Sequence, residues 1–172
     1  QDASGQSDIV GIPGRRADRD EQGNVKASEE AGGAPNLFGF GSRMWISGLL
    51  DKDKIQDREF FGDTIHKEGE MASFVQDSLS ELDAEQKIKL EQVVKALSAE
   101  AQLVSQHQLD TDADAAGDLA AGRTAMSEEF GCLDCHKLHD EGELGSAPDL
   151  TGYGSAEWLY QFIANAGHER FY

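Results

Sequence analysis

Apolar positions are sparse along this chain, and where they cluster they fall at helical spacing. Between Asp83 and Ala101, the residues Leu90, Val93, Val94, Leu97 and Ala101 recur three or four positions apart. This places them along one face of an amphipathic helix, with Asp83 or Ser80 as its opening cap. Ser42 precedes a shorter set, Trp45, Ile46, Leu49 and Leu50, and predicts a short capped helix. Residues 51–72 read as loop, broken by Gly62 and Gly69, with helix expected from about Ala72. A further helix is expected from about Asp114 to Glu129, with Leu119, Gly122, Met126 and Phe130 available for packing and Gly131 as its stop. Ser155 caps a last helix through Trp158 that ends near Asn165-Ala166-Gly167. No alternating strand pattern competes, so the expected fold class is all-α.

The segments between these helices divide the chain. Residues 1–33 are rich in Gly, Asp, Glu, Arg and Ser and read as an irregular arm or long loop. Residues 105–117 are polar and acidic. Asp110, Asp112 and Asp114 alternate there in a faint likeness of a calcium loop, but the Gly and distal Glu of such a loop are missing, so a linker is expected.

The chain also repeats itself. Ala34-Pro35-Asn36-Leu37-Phe38-Gly39-Phe40-Gly41-Ser42-Arg43-Met44-Trp45-Ile46 returns without a gap as Ala147-Pro148-Asp149-Leu150-Thr151-Gly152-Tyr153-Gly154-Ser155-Ala156-Glu157-Trp158-Leu159. The match continues weakly, with Phe60-Phe61 facing Phe171-Tyr172. Two copies of one module are therefore expected: 34–104 and, after the acidic linker 105–117, 118–172. The copies are complementary fragments. The first holds the part C-terminal to the Pro loop, and the second holds the part N-terminal to it.

Composition narrows the function. Hydrophobic residues make up 38% and aromatics 8%, modest for a core that stands alone and suited to one completed by an apolar cofactor. The net charge of −18 repels phosphates and argues against a nucleic-acid partner. It suits steering toward a basic partner, or simply solubility. No apolar run approaches the ~20 residues of a membrane helix.

Both cysteines lie in Cys132-Leu133-Asp134-Cys135-His136. C-x-x-C-H is the attachment signature of c-type haem: two thiols add to the vinyl groups of one porphyrin edge, and the adjacent imidazole sits under the iron. Two other readings compete. A thioredoxin-like dithiol should open a helix within a βαβ pattern, which is missing here. A zinc site built from Cys132, Cys135, His136 and His139 would lack the usual separation between ligand pairs. Haem attachment of this kind is normally extracytoplasmic, so a periplasmic location is expected, and the chain reads as a mature or excised segment of something longer, any membrane association being expected through a part outside it.

A helix ending in C-x-x-C-H, then Gly145-Ser146-Ala147-Pro148-Asp149-Leu150, then a short Trp helix resembles the class I c-type cytochromes. Residues 118–172 match the first two-thirds of that module and 34–101 the last two-thirds of another. The tandem A-P-x-L-x-G-[FY]-G-S-x-x-W is similar to the paired haem modules appended to cytochrome b subunits of bacterial bc-type complexes. The resemblance implies thioethers on Cys132 and Cys135, His136 as proximal iron ligand, and Pro148 presenting its carbonyl to His136 Nδ1–H. It places Tyr153 and Trp158 where polar tips reach a haem propionate, with plain core packing as the alternative. It sets Gly122 where the N-terminal helix is approached by the C-terminal helix.

The sixth ligand is the departure, because no methionine lies after His136. Met71 occupies the expected place in the first copy. It would serve a haem whose cysteines lie outside the chain, or cross over to the haem on His136, making a permuted cytochrome. His168 is the next candidate, although a solvated histidine at a helix end is the plainer reading. Met44 and Met126 read as core, and His66 and His107 as surface residues. No Ser/His/Asp set, phosphate loop or second metal cluster suggests catalysis. The expected function is electron transfer rather than an enzymatic reaction, beside a cytochrome b or Rieske-type subunit. The alternatives are a haem enzyme or gas or redox sensor with an open sixth position, and a haem-free first copy that serves in docking.

Overall fold

Asp83 opens the longest helix. Its carboxylate accepts from the backbone N–H groups of Glu85 (2.8 Å) and Gln86 (2.9 Å), and Gln86 Oε1 accepts from Asp83 N–H at 3.1 Å. This reciprocal box satisfies donors that a helix start otherwise leaves open. The cap is thus Asp83, while the Ser80 hydroxyl donates to Asp77 O.

The structure, a computed structural model, describes residues 37–62, 64–145 and 147–171. The arm expected over residues 1–33 lies outside the described residues, as do Ala34, Pro35 and Asn36 of the first repeat. Among the described residues there are six α-helices, in chain order α1 Arg43–Leu49, α2 Glu70–Ser78, α3 Ala84–Glu100, α4 His107–Ala115, α5 Asp118–Glu128 and α6 Ala156–Ala164. Single 3₁₀ turns cover Ile65–Glu68, Val104–Gln106 and Cys132–Asp134. Among the described residues there is no strand, only an isolated bridge between Leu138 and Glu141. The fold is all-α.

The main helix contact is α3 against α5. Val93, Ala96 and Leu97 of α3 are buried, as are Leu119, Ala125 and the fully enclosed Met126 of α5. Gly122 is the point of closest approach: a Cβ there would lie 2.1 Å from Gln92 O. Polar ties brace α5 at both ends. Lys95 and Gln92 hold Asp118 at its start, and Lys89 (2.7 Å) and Gln86 (3.1 Å) hold Glu129 just past its end. Ile46 of α1, Ile55, and Ala72 and Val75 of α2 complete the same core.

The acidic segment is a helix rather than a linker. Ala113 of α4 is buried, Arg43 donates to Asp110 at 2.8 Å, and Gln106 accepts from Arg43 N–H and donates to Ser98 Oγ at 2.7 Å. Gly117, with φ +81°, then turns the chain, so α5 begins at Asp118 and not at Asp114. The described residues from 37 to 171 fall in one compact unit.

The repeated turns share local geometry. Phe40 N–H bonds Leu37 O as Tyr153 N–H bonds Leu150 O, and Ser42 caps α1 as Ser155 caps α6. Gly39 and Gly152 both have φ +70°, and Gly41 and Gly154 have +75° and +79°. Phe40 stands 6.2 Å from Trp158, and its counterpart Tyr153 stands 6.2 Å from Trp45.

Candidate functional site

The end of α5 delivers the cysteine motif. Gly131, at φ +63°, breaks the helix, and Cys132–Asp134 continue as a 3₁₀ turn. His136 N–H donates to Cys132 O at 3.0 Å, which folds the five-residue motif back on itself. Both thiols are free; Cys132 is partly buried and packs against the core cluster, while Cys135 is exposed.

Burial pushes the Cys132 thiol up to about 11; a backbone hydrogen bond opposes this, and Asp134 and Cys135 add to it. A dithiol nucleophile requires the opposite shift, toward the thiolate.

His136 is held from behind. Its Nδ1 lies 2.8 Å from Pro148 O, and since a carbonyl can only accept, Nδ1 carries the proton. Burial pushes the ring below the usual histidine range, and the Pro148 bond works the other way. A neutral ring with its proton on Nδ1 keeps its lone pair on Nε2, the atom that ligates a metal.

The Pro148 carbonyl is itself fixed. Leu150 N–H donates to Lys137 O at 2.8 Å, and Asp149 N–H donates to Arg170 O at 2.8 Å. The buried Asp149 carboxylate accepts from Thr151 N–H (2.8 Å) and faces Arg170 Nε at 3.1 Å. Gly142, at φ +71°, presses on the motif from the other side, where a Cβ would fall 2.3 Å from His136 O. Sequence reasoning missed Gly142, Arg170 and the carboxylate of Asp149. The only hint was that Asp149 takes the place of Asn36 in the repeat.

Trp158 is buried and donates its Nε1–H to Asp149 O at 3.2 Å, so its polar tip is engaged by the backbone. Tyr153 sits among Phe40, Trp45 and Trp158, with ring centroids 4.9–6.2 Å away. Met71, second residue of α2, packs partly buried against the cluster that also receives Cys132, Leu133 and Phe130. Met126 is core as expected, but Met44 is 73% exposed because α1 turns it outward from Ile46.

His139 does not join the cysteines; its Nε2 lies 2.8 Å from Glu100 Oε1. Among the described residues no group of three or more His, Cys, Asp or Glu side chains converges as a metal cage. His168 is exposed, and its Nδ1 accepts from Arg170 N–H at 3.2 Å. A cleft of about 250 Å³ beside the motif is lined by Arg123, Leu133, Leu138, His139, Asp140 and Glu141, and does not include His136. Among the described residues no helix is long and apolar enough to cross a membrane.

Compared with known proteins, the chain matches no family model, no curated protein and no solved structure.

Proposed function

We propose that this chain is a one-electron carrier that holds a c-type haem on Cys132, Cys135 and His136. The observation that carries this reading is the 2.8 Å hydrogen bond from His136 Nδ1 to Pro148 O. It joins the C-x-x-C-H motif to a proline loop twelve residues on and fixes the tautomer that an iron-ligating histidine needs. The residues fit the group in other respects. Both thiols are unpaired and sit on one turn, one against the apolar cluster and one open to solvent.

Cys132 and Cys135 would supply the thioether links, and His136 Nε2 the proximal ligand. Met71 would supply the sixth ligand from within the same apolar cluster. The haem, when bound, supplies reversible one-electron chemistry at iron. The chain's residues orient His136, keep its proton on Nδ1 and exclude water from its buried side.

The packing of α3 on α5 at Gly122 favours a permuted cytochrome c-like arrangement, in which the long helix C-terminal to Met71 crosses the helix preceding the cysteines. Tyr153 and Trp158 would form an aromatic wall, and Trp158 would have to release Asp149 O before reaching a propionate. The proposed setting is the periplasmic or extracytoplasmic face of a membrane, beside a cytochrome b or Rieske-type subunit.

The test is production in a host that attaches c-type haem, then a pyridine haemochrome assay, a reduced-minus-oxidised spectrum and a carbon monoxide challenge. One haem per chain, indifferent to carbon monoxide, is expected. Rapid carbon monoxide binding would favour an enzyme or sensor with an open sixth position. A chain without haem would return Cys132 and Cys135 to thiol chemistry.

A further inference from the structure

Glu100 ends α3, far in sequence from the cysteine motif, yet its carboxylate bridges the two halves of the loop that carries His136 and Pro148. Oε1 meets His139 Nε2 at 2.8 Å, and Oε2 accepts from Gly152 N–H at 2.9 Å. The Glu100 side chain is only 11% exposed and its bond to Gly152 N–H is partly buried, whereas the His139 ring at the other end is 49% exposed. The bridged segments begin at the residues of the central hydrogen bond: 137–139 leave His136, and 149–152 leave Pro148. They are also joined directly, by Leu150 N–H to Lys137 O (2.8 Å) and by His139 N–H to Thr151 Oγ1 (2.7 Å).

His139 itself has φ +54°, a left-handed conformation uncommon outside glycine that histidine adopts more readily than most residues and still at some cost. That conformation is held by the bonds around it. Here Thr151 holds its backbone and Glu100 its ring.

We infer that Glu100 is a positioning residue for the His136 site. It clamps the two arms of the loop so that Pro148 O stays on His136 Nδ1, and ties that geometry to the C-terminus of α3. The inference rests on the proposed role of His136, but the clamp is a property of the chain itself and is measurable with or without haem.

The experiment is solvent exchange of the His136 Nδ1–H, read by NMR on the full chain as isolated, in wild type, E100A, E100Q and H139A. In E100A the exchange is expected to quicken by about tenfold or more, because the opening that exposes Nδ1–H becomes easier. E100Q keeps an acceptor for Gly152 N–H and a donor toward a neutral His139 ring, and is expected to restore exchange to within about threefold of wild type. H139A removes one arm at an exposed position and is expected to give an intermediate rate. In haem-bound protein the E100A midpoint potential shifts as well, since the Nδ1 hydrogen bond tunes the ligand's basicity.

Exchange in E100A and H139A within about twofold of wild type would overturn the clamp. If E100A does not fold, H139A and E100Q carry the same comparison. Failure of the haem reading shows separately, as wild-type protein that takes up no haem while the exchange differences persist.

Discussion

Gly122 of α5 lies so close to Gln92 of α3 that a Cβ on it would stand 2.1 Å from the Gln92 carbonyl oxygen and 2.9 Å from Ala96 Cβ. Neither neighbour can yield cheaply: one is helix backbone and the other is the stub of a buried residue. Gly122→Ala must therefore push the two helices apart, and is expected to destabilise the chain by about 2–4 kcal/mol, at the upper end for overpacking. Gly117→Ala is the control. Nothing lies within 4 Å of its Cβ position, so only the φ of +81° opposes the change, at about 1 kcal/mol. Urea unfolding of both variants checks this. Equal midpoints would remove the close crossing as a cause.

Met71 is the methionine expected to close the iron coordination. It packs against the cluster that receives Cys132, whereas Met126 is enclosed in the α3–α5 core and Met44 is exposed. In haem-bound protein, Met71→Ala is expected to lose the weak sulfur–iron absorption band and to bind carbon monoxide rapidly. Met44→Ala is expected to keep the wild-type spectrum. Should Met71→Ala retain the band, the sixth ligand is another residue and the crossover arrangement loses its reason.

Trp158 packs edge-on to Tyr153 and Phe171 and stacks on Phe162 at 9°. It also donates to Asp149 O, next to the proline carbonyl that holds His136. Trp158→Phe keeps an aromatic ring but leaves that buried carbonyl short of a donor and trims the packing. A loss of about 1–3 kcal/mol is expected from the unmade bond and the smaller ring. Thermal or urea unfolding reads the size. A neutral substitution would mean that water replaces the indole donor and that Trp158 is peripheral to the core.

Much of this molecule is legible in its sequence where the signal is local. The α3 stripe and its Asp83 cap depend on residues within a few positions of one another, and the observed helix spans Ala84–Glu100. The two glycine-serine turns are legible because the chain states them twice. The His136–Pro148 pairing came from the motif resemblance, and the two atoms do meet. The α4 helix was not legible: buried Ala113 gives it almost no apolar stripe, and it is held by Arg43, 67 positions from Asp110. Glu100 was hidden for the same reason, lying 39 positions from His139 and 52 from Gly152. Met44 was misplaced because it neighbours Trp45 and Ile46, which face inward, and a seven-residue helix is too short for its periodicity to distinguish the faces.

The pH dependence of the haem-free chain should carry the mark of Cys132. Its thiol is held at about 11 when folded, against an ordinary value near 9.0 when the chain is unfolded. Between those values the unfolded state sheds the proton and the folded state keeps it, so stability declines as pH rises. The contribution is complete below about pH 8.5 and lost by about pH 11. Two units correspond to roughly 2 kcal/mol after allowing for the partial exposure of the side chain. His136 acts in the opposite window: its lowered value means that stability falls as pH drops below about 6.5 and the unfolded chain takes up the proton first. Urea midpoints measured from about pH 5 to about pH 10.5 should show both slopes, and Cys132→Ala should flatten the alkaline one alone. Haem-bound protein should lack the alkaline slope as well, because a thioether sulfur has no proton to lose. An alkaline slope that persists unchanged in Cys132→Ala would assign it to another group and leave the raised thiol without consequence for folding.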